Sequence, residues 1–143
     1  MSKTILVPIE LSSSDHIDQG KKMIEVAKRL ADKEVQIMLV NAVEDIPAYV
    51  AAELPRGILE KSRESARSML KDIARAAGLE ANAKLLSGRA HSAILTAADE
   101  YKADLIVISS HQPGFQDYLL GSTASRVVRH AKCSVYVVRE PDY

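Results

Sequence analysis

Apolar residues recur along this chain in two rhythms, and the switches between them lay out the fold. Thr4–Ile9, Val35–Ala42, Leu105–Ile108 and Ser134–Val138 are short runs dominated by Val, Ile and Leu. Continuous runs of that length and β-branched content predict strands, and the first two and the fourth-strand run Leu105–Ile108 read as central ones. Glu80–Leu86 is different, because Ala81, Ala83 and Leu85 alternate with Glu80, Asn82 and Lys84. Such alternation predicts a strand with one wet face at a sheet edge. Between the strands the period lengthens. After a Ser12-x-x-Asp15 capping-box pattern, Ile17, Ile24, Ala27 and Ala31 share a helical face that Met23, Val26 and Leu30 widen. A longer helix puts Leu59, Ser62, Ala66, Met69 or Leu70, Ile73 and Ala77 on one face and Arg63, Glu64, Arg67 and Lys71 outside, with Gly78 at its C′ position. Ala90, Ile94, Ala97 and Tyr101 mark a third helix, and Ala124–Lys132 a short fourth. Val43–Gly57, bracketed by Pro47 and Pro55, reads as a connector holding a short helical turn.

Strands separated by helical crossovers of ten or more residues require a parallel sheet with right-handed connections. The fold class is therefore α/β: a five-stranded parallel sheet of order 3-2-1-4-5 with helices on both faces, a Rossmann-like or flavodoxin-like three-layer sandwich. With 143 residues and 47% hydrophobic content, one domain spanning 1–143 is expected.

Charge and cysteine content narrow the function classes. Nineteen basic residues balance nineteen acidic ones, and no segment joins Lys and Arg to aromatics, so no nucleic-acid partner is expected. The apolar runs fall far short of membrane-spanning length, and Met1-Ser2-Lys3 leads into a strand without a signal-peptide core. A cytoplasmic protein with no membrane partner is the expectation. Cys133, the single cysteine, excludes an internal disulfide and reads as a small hydrophobe beside the last strand.

In the predicted arrangement the order in which strands are added reverses between the first and the fourth, and open α/β sheets bind ligands at that reversal, beyond the strand C-termini. Two loops meet there, Glu10–Asp15 and Ser109–Gly121. They bring Glu10, Ser12, His111, Gly121, Ser122 and Thr123 to one rim, with Pro8 and Ile9 at the end of the first strand. Gly121-Ser122-Thr123 opens the last helix, where unpaired N–H groups and the positive end of the dipole favour a phosphate. Glu10, an acceptor, suits a ribose hydroxyl. Plain helix capping, a solvated carboxylate and a surface imidazole are the competing readings of the Gly-Ser-Thr step, Glu10 and His111. His130 in the last turn of its helix complements the dipole. Catalytic motifs are absent: there is no G-x-S-x-G elbow, P-loop or G-x-G-x-x-G, and His16, His91, His111 and His130 lack metal-ligand spacing. Dedicated enzyme chemistry is not expected, although a slow ATPase or phosphotransferase stays open. An adenylating ATP-pyrophosphatase would need glycine in the loop after the first strand, and Glu10–Ser14 has none.

Three separated blocks are familiar: Lys3–Pro8, Ala103–Ile108, and Leu119-Leu120-Gly121-Ser122 running through Val127–Val138. Over nearly its whole length the chain resembles the universal stress protein family, in particular short bacterial members with a Ser-His-x-Pro loop. The resemblance implies a homodimer through the last strands, a regulatory or protective role, and, in one subgroup, ATP in the crevice just derived. That subgroup carries G-x2-G-x9-G-[ST] after the fourth strand. Here Gly121-Ser122 matches its end, while Ser109 and Gln112 stand at the two earlier glycines and eight residues, Pro113–Leu120, replace the nine. The family's aspartate after the first strand is Glu10, and its adenine contact near the end of the second strand maps to the backbone of Ala42. The expected cofactor is ATP or another adenine nucleotide, with Mg2+ as a companion ion. Expected partners are a second copy, paired through Val135, Tyr136 and Val137 on the exposed edge Ser134–Val138, and a regulatory protein of unknown identity. The alternative is a nucleotide-independent interaction module of the same fold.

Overall fold

A computed structural model describes residues 3–44, 46–110 and 120–139. The elements run β1 (Thr4–Pro8), α1 (Ser14–Leu30), β2 (Gln36–Val43), α2 (Ala48–Ala51), α3 (Ile58–Ala76), β3 (Ala83–Ser87), α4 (Ala90–Glu100), β4 (Leu105–Ser109), α5 (Ser122–His130) and β5 (Ser134–Val138). All neighbouring strands pair in parallel, in the order β3-β2-β1-β4-β5. The expected fold class and strand order are those observed.

The continuous apolar runs divide between two cores because successive side chains of a strand point to opposite faces. Ile5, Val7, Ile37, Leu39 and Val107 pack with Met23, Ile24 and Ala27 of α1 and Leu70, Ile73 and Ala74 of α3. Leu6, Met38, Val40, Ile106 and Ile108 turn the other way, onto Ile94, Ala97 and Ala98 of α4 and Ala124 and Val127 of α5. Helices thus cover both faces, α1 and α3 on one and α4 and α5 on the other.

β1 is matched with β2 along its whole length, from Thr4 opposite Gln36 to Pro8 opposite Val40. With β4 it shares only Ile5 opposite Leu105 and Leu6 opposite Ile106. Asp104 closes the base of that seam, since its carboxylate accepts from the Thr4 N–H and its own N–H donates to the Thr4 carbonyl, both at 2.8 Å. Beyond Leu6 and Ile106 the two strands leave ladder register, and a crevice opens at their C-terminal ends.

Several local expectations shift. α1 is capped by Ser13, whose hydroxyl accepts from the His16 N–H at 3.2 Å, so the Ser12-x-x-Asp15 box does not form; Asp15 lies inside the first turn. Leu30 is 47% exposed, and Leu59 and Ser62 of α3 are not buried either. Length explains this: α3 has 19 residues, about 28 Å at 1.5 Å per residue. The five residues of β3 reach only about 16 Å. The helix overhangs β3, and its stripe is fully buried only at Leu70, Ile73 and Ala74, while Leu59, Ala66, Met69 and Ala77 are half-buried. Gly78, with φ +75°, ends α3 as expected, in a Schellman arrangement of Gly78 N–H to Arg75 O and Leu79 N–H to Ala74 O. The third strand begins at Ala83, because Glu80–Asn82 form a 3-10 turn. Ala48–Ala51 supply the short helical turn of the connector.

Candidate functional site

A cavity of about 320 Å³ occupies the crevice, at the lower end of the range of small-ligand sites. Pro8 enters it from the end of β1, Ile9 and Glu10 from the residues just after it, Ala42 from β2, Ser109 from β4, and Gly121, Ser122 and Thr123 from the start of α5. His111 and Gln112 lie outside the described residues. The wall also contains residues the sequence reading passed over: His16, Gln19 and Met23 of α1, Asn41 of β2, and Ala90 and Ile94 of α4.

The acidic rim is a chain of hydrogen bonds. Glu10 Oε2 lies 3.1 Å from His16 Nε2, and His16 Nδ1 lies 2.8 Å from Ser12 Oγ and 3.0 Å from Ser13 Oγ. A neutral imidazole protonated on Nε2 serves both ends, donating to the carboxylate and accepting from a serine hydroxyl. The cap that starts α1 therefore also aims Glu10, whose side chain keeps 65% of its surface exposed. Behind it, Asn41 Nδ2 donates to the Ile9 carbonyl at 2.8 Å, and the Ile9 N–H donates to the Val40 carbonyl at 2.8 Å. These bonds fix the backbone on which Glu10 stands.

On the opposite rim α5 begins at Gly121, which has no side chain to cap the helix and takes φ −62° and ψ 161°. Ser122 and Thr123 form its first turn, where N–H groups lack intrahelical acceptors. α4 also starts at the cavity, with Arg89 making no side-chain cap bond and Ala90 on the wall. Two positive helix ends thus border one space. None of the described wall residues is Lys or Arg; Glu10 and His16 are the ionisable ones. No group of three His, Cys, Asp or Glu among the described residues could hold a metal ion. An uncharged donor set facing one carboxylate suits a ligand with hydroxyls at one end and a phosphate at the other.

The missed residues left traces. Gln19 and Asn41 are polar side chains in positions that the helical stripe and the apolar strand assign to core, and both are buried. His16 stands three and four residues from two serines that precede a helix, a spacing that folds a side chain back on its cap. Searching the histidines for metal pairs alone hid that role.

The chain matches the family model for the Universal stress protein family over residues 1–139. It belongs to the universal stress protein family. Among named relatives it is 35% identical over 142 residues to a universal stress protein of Thermus aquaticus, covering 97% of this chain and 100% of the relative. Universal stress protein MJ0531 of Methanocaldococcus jannaschii is 32% identical over 143 residues, 97% of this chain and 83% of the relative. Among solved structures, the hypothetical protein MJ0577 superposes with a TM-score of 0.79 at 20% identity, over 100% of this chain and 99% of that one. A universal stress protein solved in complex with cAMP gives 0.59 at 26% identity, over 96% of each chain. This universal stress protein has no described helix long and apolar enough to cross a membrane.

Proposed function

We propose that this chain binds an adenine nucleotide in the crevice and works as a homodimeric regulatory protein rather than a dedicated enzyme. Eight of the eleven residues picked out from the sequence line one cavity at the seam between β1 and β4, and that convergence carries the reading. A relative 26% identical that was solved with cAMP supports it. Ser122 and Thr123, with first-turn amides of α5, take a phosphate. Glu10 takes a ribose hydroxyl on its outer oxygen while His16 holds the other, and the Ala42 backbone faces the base. With a triphosphate, Mg2+ would take its oxygens from the phosphates and water, since Glu10, the one carboxylate on the described wall, is assigned to the ribose.

Titration calorimetry and thermal melts with AMP, cAMP, and ATP with and without Mg2+ test this. Binding should stabilise the folded protein by about 2.7 kcal/mol at a hundredfold excess over Kd, and so raise Tm. Gly121→Val combined with Ser122→Ala should abolish the rise. No Tm shift with any of them at millimolar concentration would reject the proposal.

One observation favours the interaction-module reading. Around α2, Tyr49 is 76% exposed, and Ile46, Val50, Leu54 and Ile58 are exposed beside it in sequence. Contiguous apolar exposure of this kind suits a protein partner. A partner captured equally by wild type and Gly121→Val, with or without nucleotide, would move the function there.

A further inference from the structure

We infer that the Gln19 side chain is a ligand contact, donating its amide N–H to a phosphate oxygen of the nucleotide; the inference rests on the proposed function. Gln19 is only 8% exposed, four residues before Met23 in the stripe that α1 buries. One end of its amide is satisfied, because Ser109 Oγ donates to Oε1 at 2.7 Å. The other end, Nε2, is buried and has no hydrogen-bond partner among the described residues. Buried amides normally pair both ends, since an N–H stripped of water and left unmatched is costly. A leucine would fill the same stripe without that cost. The half-satisfied amide stands in the cavity wall, where an incoming acceptor completes it.

Gly20 explains how the amide reaches that wall. A Cβ at Gly20 would lie 2.8 Å from Ile9 Cγ2, so glycine lets α1 rest directly on the end of β1 and carries Gln19 across to β4. The position also selects the ligand group. Ser109 ends β4, two strands from the Ala42 backbone assigned to the base, with Glu10, just past the end of β1, and its ribose contact between them. An acceptor arriving beside Ser109 and facing the start of α5 is a phosphate oxygen. The terminal torsion of glutamine is soft and broad, so Nε2, buried as the site stands, turns toward that oxygen without moving the helix, while Oε1 turns with it and the Ser109 hydroxyl rotates to follow. The result is a neutral donor set of amide and hydroxyls, in keeping with a described wall that lacks Lys and Arg.

AMP and adenosine separate the phosphate contact from the rest of the ligand. Gln19→Glu keeps the shape and the acceptor for Ser109 but puts a carboxylate oxygen where the N–H was. By calorimetry its Kd for AMP should rise at least tenfold while that for adenosine stays within twofold of wild type. Gln19→Met, similar in volume and without a donor, should weaken AMP several-fold, leave adenosine unchanged, and leave the Tm of the unliganded protein undiminished. Unchanged AMP affinity in both variants, or equal losses for AMP and adenosine, would overturn the inference while leaving nucleotide binding intact. Wild-type protein that binds neither compound overturns the nucleotide reading and this contact with it.

Discussion

Ser12 and Ser13 place the same hydroxyl one residue apart at the head of α1, and both reach His16 Nδ1. Ser13 alone of the two accepts the His16 N–H as the helix cap. Ser13→Ala should therefore cost about 1 kcal/mol of stability in urea denaturation. Ser12→Ala, which loses one exposed contact, should stay within about 0.5 kcal/mol. The capping-box spacing was readable, but it slipped by one because consecutive serines offer the chain two starting points and Asp15 serves the first turn either way. Cys133 makes the opposite lesson, since its bland reading survives inspection. Burial pushes its thiol above the usual range, a backbone hydrogen bond pulls it back by less, and the carboxylates of Asp104 and Asp99 add smaller upward pushes. A raised value keeps the thiol protonated at neutral pH and removes the nucleophilic thiolate. Alkylation by iodoacetamide at pH 7.5 should run slower than for a free thiol and accelerate only as the pH climbs past the ordinary thiol range.

Strands were legible because a parallel sheet buries both faces and leaves a continuous apolar run; helices were legible only where they touch the sheet. Leu30 and Leu59 satisfy the stripe in sequence yet lie on turns that outrun the strands, so period alone could not mark them as incompletely covered. The edge strand was found from its alternation, although its first three residues coil into a 3-10 turn. Close packing of element on element was not readable at all. Gly20, a helix-interior residue with no obvious purpose, is the point where α1 meets Ile9. Gly20→Ala should gain up to about 1 kcal/mol in helix propensity and lose about 1–3 kcal/mol to overpacking against a rigid, buried isoleucine. The net change expected in denaturation is a loss of stability, and displacement of α1 should weaken nucleotide binding with it.

Across the whole molecule, β5 is the last strand of the sheet, with no described strand beyond it; Tyr136 is 44% exposed and Val128 of α5, nearby in sequence, 45%. Tyr136→Lys on a strand edge should block self-pairing and halve the mass measured by light scattering at micromolar concentration; a wild-type protein already of monomer mass would contradict the proposed dimer. The location of the candidate site followed from strand order alone, because the order of winding reverses at a single seam. Its inner chemistry did not, because Gln19 and Asn41 gain meaning from neighbours on other elements that no linear pattern displays, whereas His16 is held by the nearby Glu10, Ser12 and Ser13. The seam itself has one more implication. It is stitched at the bottom by two residue pairs and the Asp104 clasp, and near the top the Gln19 amide leans across to Ser109. Three strands hang on one side of this partial stitching and two on the other, so anything lodged in the open end acts as a wedge between unequal flaps, and the narrower flap carries the rim where a second copy would attach.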